Sequence, residues 1–481
     1  LDPARATDVP TGRAVSYLFD GLVRFTPDAQ VVPALAERWE VSADGTTYTF
    51  HLRRDVTFHD GTPLRAALVA SSWRRALDPA TKGGPWPLLP IRGAAAVAEG
   101  KATTLEGVRI VDDSTIVVTL AEPLAIFPKL LAMPVASIIP PGAGADFGQK
   151  PVGTGPWKLV EWKHDDYVKF ARFDAHWGDK PGADTLIARV IPEPSTAVAE
   201  FESGTVDVMN VPEGETRAWE QTDEKSARLQ SAPALILYHV AINTTRGPLA
   251  DARVRRALNH SVDVNAILGQ ILAGRGRVAT GVVAPSLAGA DTARQRFAYD
   301  TLLARRLLAE AGHPNGVDVE LWSSSDATLA RLAQSIQGYL TKGGFRVKLV
   351  QRDAAAAREA ARNGQADLFV KTWYADYPDA DAFLYPLLHS ASKGVGGNYS
   401  FSANRAVDSL IVAARRTQDD AQRAALSRQA DALAHADAPM IYLFHYNELL
   451  AVQPWIKGFQ VPVIFNGQRW QNVRLDAATA R

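Results

Sequence analysis

Cysteine is absent from the 481 residues, and with it go thiol nucleophiles, disulfides and thiolate-bound zinc. The absence suits an oxidising compartment, where a stray thiol is a liability. An excess of charge of either sign is also missing. Lys plus Arg number 52 and Asp plus Glu number 52, so no global field draws in nucleic acid or an anionic membrane. Long apolar runs are lacking as well. The longest candidate, 127–139, is interrupted by Pro128, Lys129 and Pro134, well short of the eighteen or more apolar residues of a membrane span. The chain starts at Leu1 with no charged-then-apolar leader. The expectation is either a removed export signal or a numbered chain that is a fragment.

Signatures of catalysis are missing too. There is no His-Glu-x-x-His, no Gly-x-Ser-x-Gly and no complete phosphate loop. The stretch 93–101 has the wrong spacing before Gly100-Lys101, and Ala102 stands where a hydroxyl is required. Gly153-Thr154-Gly155 lacks a third glycine, and Pro156 breaks the turn. The ten histidines are scattered, with no pair at i,i+4 on a helix, so neither a preformed metal site nor a cofactor is expected. Glu193 and Asp207 have the chemistry of an acid–base pair, but nothing distinguishes them from solvated carboxylates. The absence of these signatures withholds support for an enzyme without excluding one.

What is present is ample material for burial. Apolar residues make up 47% and charged residues 22%, ordinary for a soluble globular chain, and the length calls for two or three domains. The first half reads as strands and turns. Residues 47–52 alternate, with Tyr48, Phe50 and Leu52 on one face. Residues 108–120 read as two strands around Asp112-Asp113-Ser114, and Val168, Phe170 and Arg172 mark another. A helix suits 65–77. In the second half, Val254, Ala257, Leu258, Ser261 and Leu268 share a helical stripe after a cap at Asp251. Asp300 caps a helix over 301–311, a strand follows at 317–322, and Leu329 to Leu340 form another stripe. A strand at 345–350, a long helix at 420–435 and a strand at 440–445 complete a mixed α/β pattern. The character changes near 243–251.

Several segments, in order, resemble the family 5 extracellular solute-binding proteins, the oligopeptide- and dipeptide-binding group. They include Leu1-Asp2-Pro3, Leu18-Phe19-Asp20-Gly21-Leu22, Ala36-Glu37-Arg38-Trp39-Glu40 and Tyr48-Thr49-Phe50-His51-Leu52-Arg53. The run Val56-Thr57-Phe58-His59-Asp60-Gly61-Thr62-Pro63 is the most diagnostic. Gly153-Thr154-Gly155-Pro156-Trp157, Val254-Arg255-Arg256-Ala257-Leu258-Asn259 and Trp373-Tyr374-Ala375-Asp376-Tyr377-Pro378 continue the series. The resemblance implies an α/β, two-lobed periplasmic-binding-protein type II fold with an extra inserted subdomain in lobe I. By analogy lobe I takes 1–18, 145–243 and 445–481, the inserted subdomain 19–144, and lobe II 244–444. Family members usually carry a short strand before the Leu-Asp-Pro motif, and here nothing precedes it.

The resemblance also implies a function. A monomer in the periplasm, or on the outer face of the cytoplasmic membrane, captures a short peptide between closing lobes. It then delivers that ligand to ABC transporter permease subunits. The alternative is a non-peptide solute on the same scaffold: an opine, an oligosaccharide, an antibiotic or chelated nickel. A hydrolase or a sensory receptor subunit is a more distant reading.

Asp376 stands where the family's peptide binders keep the carboxylate for the ligand amine, with Trp373, Tyr374 and Ala375 beside it. The bland role for this aspartate is capping the turn before Tyr377-Pro378; for the aromatics it is core packing. Val9 and Pro10 match a segment whose backbone flanks peptides, although Thr7 replaces an acidic residue common in relatives. His239 and His445 align with cleft tyrosines, against the alternative of satisfied buried histidines. Asn210 and Trp86 complete the candidates. Val370 stands where oligopeptide binders have an arginine for the ligand carboxylate. Lys371, one residue on, points to the opposite face of a strand.

Overall fold

In the computed structural model, which describes residues 1–144 and 146–476, the alternating run Thr47–Leu52 is a strand. Its Tyr48, Phe50 and Leu52 are buried and the residues between them are half-exposed, as a period of two requires when one face meets a core. It lies between Ala36–Val41 and Thr115–Thr119 in a four-stranded antiparallel sheet, with Val108–Asp112 outermost. A second, three-stranded antiparallel sheet joins Trp157–Lys163, Tyr167–Arg172 and Thr185–Arg189. The helix Val9–Leu18 begins where the Asp8 carboxylate accepts from the Thr11 N–H. Its Val15, Tyr17 and Leu18 pack with Trp157 and Phe170, and Tyr17 meets Phe170 edge-on at 5.6 Å.

These elements belong to the first of two compact units, made of Leu1–Val211, Thr222–Ala232 and Leu449–Arg481. The second comprises Pro212–Gln221 and Pro233–Glu448. Residues 145 and 477–481, which the family reading assigns to lobe I, lie outside the described residues.

In the second unit, Val317–Ser324 pairs in parallel with Phe345–Arg352 and with Leu368–Tyr374. The last of these runs antiparallel to Leu229–Ile242, from Ile236 opposite Tyr374 to Ile242 opposite Leu368. Local signals set the helices. Asp300, Asp326, Asp353 and Asp419 each cap a helix with the side chain. The apolar stripe from Val254 to Leu268 is, however, two helices and not one. Ala252–His260 stops at Ser261, and Asp263 caps a new helix, Val264–Ile271. The second cap captures N–H groups that a continuous helix would bond to its own carbonyls. The strand expected at 440–445 also exceeds that length, running Met440–Val452. Among the described residues no helix is long and apolar enough to cross a membrane.

Backbone approach in the first unit leaves no room at Gly153. A Cβ there would overlap the Leu18 carbonyl and stand 2.8 Å from the Phe19 ring. Gly153→Ala is therefore expected to lower stability by about 1–3 kcal/mol through overpacking, read by urea unfolding. Gly214→Ala, whose Cβ meets nothing within 4 Å, is the control.

Candidate functional site

The strand Leu368–Tyr374 sorts its side chains by alternation. Leu368 and Val370 enter the main core of the second unit, while Phe369 faces a smaller cluster with Ala357, Ala361 and Tyr399. Lys371 and Trp373 share the side of Phe369. The Lys371 ammonium sits 3.9 Å from the Tyr399 ring centroid and 4.9 Å from that of Trp373. Burial, followed by Arg358 and Arg362, pushes it down to about 7. Val370 carries no charge and is buried, so the position aligned with the family's arginine is part of the core.

Trp373 is held by its indole N–H, which donates to the Ala382 carbonyl at 2.8 Å. Tyr374 is 52% exposed. The Ala375 N–H donates to Leu235 at 2.9 Å, extending the antiparallel pairing to the residue before Asp376. Asp376 combines two properties. Water reaches its side chain, yet surrounding protein mass desolvates the carboxylate and pushes it up to about 6. Among the described residues its carboxylate has neither a hydrogen bond nor an ion pair.

The loop after Asp376 is tied down by buried charge. The Tyr377 hydroxyl donates to Asp381 at 2.7 Å, and the Asp381 N–H donates to the Asp379 carboxylate at 3.0 Å. Arg415 lies 3.5 Å from Asp381, and Arg423 lies 3.6 Å from Asp379. Desolvation raises Asp381 to about 6 despite Arg415. A network with this many mutual partners gives the loop one arrangement.

His239 lies directly opposite Lys371 on the neighbouring strand. It is buried, its Nδ1 lacks a partner among the described residues, and desolvation followed by Lys371 depresses it to about 3. His445, on the next strand over, is also buried. Its Nε2 lies 3.3 Å from the Gly281 carbonyl, and burial holds it at about 4. Both imidazoles are neutral at physiological pH. The second unit thus carries Trp373, Tyr374, His239 and His445 on adjacent strands of one sheet, with Ala375 and Asp376 just past the end of one of them.

The other four candidates belong to the first unit. Val9 is half-buried and Pro10 exposed, in the first turn of their helix. Asn210 is exposed opposite Leu450 on the short strand Val208–Asn210. Trp86 is 41% exposed. Among the described residues no group of three or more His, Asp or Glu side chains is placed to hold a metal ion.

Comparison with known proteins decides the family. The model of the bacterial extracellular solute-binding proteins, family 5 Middle, matches residues 30–395. The chain belongs to this family. The dipeptide-binding protein of Escherichia coli K12 is 31% identical over 483 residues, spanning 95% of this chain and 89% of its own. Heme-binding protein A of Haemophilus influenzae Rd is 32% identical, spanning 92% and 84%. The periplasmic binding protein DppA of Helicobacter pylori, solved in complex with the peptide STSA, superposes with a TM-score of 0.82. It is 27% identical and covers 98% of this chain and 95% of its own. The family 5 chain therefore has the type II periplasmic-binding-protein fold, and these relatives are named as binding proteins. Its Asp381–Arg415 anchor and the contact of Lys371 with Tyr399 carried no motif, because each forms between segments distant in the chain.

Proposed function

We propose that this family 5 protein captures a short peptide, or another solute with a primary amine, and presents it to the permease of an ABC importer. The observation that carries the reading is the Asp376 carboxylate, desolvated and without a partner beside Trp373 and Tyr374. A ligand ammonium supplies the missing charge, and the backbone beside it suits strand-like pairing with an extended peptide. We assign 1–18, 145–243 and 445–481 to lobe I, 19–144 to its inserted subdomain and 244–444 to lobe II. Val9, Pro10, Asn210 and Trp86 then supply lobe I contacts, and His239 and His445 neutral polar ones. The protein acts as an exported monomer without catalysis. Closure follows from contacts made only when both lobes meet the ligand.

Native mass spectrometry of the purified protein tests this. A retained peptide mass supports the proposal, and a retained non-amine solute overturns it. Small-angle scattering is expected to show compaction on adding that ligand. The second reading, a non-peptide solute, draws on the heme-binding relative and on Val370 replacing the arginine.

The pH dependence has a definite sign. An ammonium pairs with the ionised carboxylate, and a group at about 6 is mostly protonated at pH 5. Affinity for an amine ligand is expected to fall about tenfold from pH 7 to pH 5, measured by calorimetry. A flat profile would remove Asp376 from the site.

A further inference from the structure

A second polar cavity lies wholly within the first unit. It is partly open to solvent, and its lining includes Asp20, Arg24, Ser137, Asn466 and Arg469. Val23 and Phe25 are buried on either side of Arg24 in the strand Val23–Phe25, so alternation turns Arg24 the other way.

Charged groups crowd Arg24, which burial also desolvates. Asp20 and Asp179 act on it from one side of the ledger, Arg469 and Arg53 from the other. Asp20 is already committed: it accepts from Arg469 at 2.6 Å, Thr154 at 2.9 Å and Trp177 at 3.1 Å. Asp179 is exposed. Arg53 donates to Ala34 and lies over the Trp177 ring. Among the described residues Arg24 itself has no hydrogen bond and no ion pair. Arg24 is therefore a guanidinium with no counter-charge in direct contact among the described residues, and it lines the cavity.

Asn466 supplies a second, independent requirement. It is 6% exposed, and its Nδ2 donates to the Ala132 carbonyl at 3.0 Å. That bond fixes the amide orientation, because a flipped amide would set oxygen against oxygen. Among the described residues the Oδ1 is then a buried acceptor with no donor, a cost on the order of 1–3 kcal/mol when left unmet. The Ser137 hydroxyl also has no partner among the described residues.

We infer that this cavity is a binding site for a small, singly protonated oxyanion, such as hydrogen phosphate or bicarbonate, separate from the Asp376 site. Its oxygens accept from Arg24 and Ser137, and its one O–H donates to Asn466 Oδ1. Chloride or a plain carboxylate matches Arg24 and leaves Asn466 unmet. Water matches Asn466 and leaves the guanidinium uncompensated.

The test titrates the whole chain with sodium phosphate, and separately with bicarbonate, at pH 7 and low ionic strength by calorimetry. Saturable one-to-one binding of at least one of them is expected, with chloride failing to compete at equal concentration. Arg24→Gln is expected to weaken it at least tenfold, and so is Asn466→Leu, with amine-ligand binding kept in both. Arg24→Lys, which keeps the charge but loses the fork, is expected to weaken it about tenfold. Absence of saturable binding of either oxyanion overturns the inference. Equal competition by chloride also overturns it, as does unchanged affinity in Arg24→Gln or, should that variant misfold, in Arg24→Lys.

Discussion

Asp376→Asn is expected to weaken binding of an amine-bearing ligand by about 30- to 1000-fold at pH 7, a loss of about 2–4 kcal/mol. The effect is large because the ammonium would then sit in a desolvated place without a counter-charge, while the asparagine side chain fills almost the same space. Among the described residues the carboxylate has no other partner, so its worth is concentrated in the ligand. N-acetylating the ligand supplies the second side of a double-mutant cycle. Acetylation is expected to cost the native protein heavily and the variant little. Additive losses would show that Asp376 and the amine do not meet. The unliganded variant carries an opposite signature. The folded carboxyl is raised to about 6, so its contribution to stability is intact below the unfolded value and is lost as pH rises through about 6. Asparagine loses nothing there. Asp376→Asn is expected to unfold at a higher temperature than the native protein above pH 6, with the gap closing toward pH 4.

Arg469→Leu is expected to destabilise the first unit by about 3–5 kcal/mol. Asp20 and Arg469 are both buried and 2.6 Å apart, and Arg469 also donates to the Ser16 and Phe19 carbonyls. Desolvation pushes the Asp20 carboxyl up, but Arg469 and His176 outweigh it, with the bonds from Arg469 and Trp177 adding to them, and hold it at about 2. Removing the guanidinium leaves a buried carboxylate with only Thr154 and Trp177. The sign with pH follows from the depressed value. The contribution is full above the ordinary carboxylate range and disappears as pH falls through about 2, so native and variant converge in acid. Urea unfolding of both proteins between pH 7 and pH 2.5 measures this. Asp20→Asn added to Arg469→Leu is expected to recover part of the loss, because the stranded charge is gone. No recovery would mean that lost packing, and not the charge, sets the cost.

Much of the local structure was legible because its causes are local. The strand Thr47–Leu52 followed from alternation, and the helix Thr301–Glu310 from the Asp300 cap. The opposition of Val370 and Lys371 followed from the geometry of a strand. The stripe across Ser261 misled because apolar spacing continues through a break. Only the capture of new N–H groups by Asp263 marks the restart.

By itself, the sequence determined periodicity, capping, the absence of thiol chemistry and the ordered segments that resemble family 5. It also put an aspartate at 376 beside two aromatics. Tertiary structure alone decided that this carboxylate is desolvated and unpaired, that Lys371 lies between aromatic rings, and that Arg415 reaches Asp381. It also brought Arg24 and Asn466, from opposite ends of the chain, to one cavity. The physical reason is that desolvation and charge pairing depend on what the fold brings within a few ångströms, which no local spacing encodes.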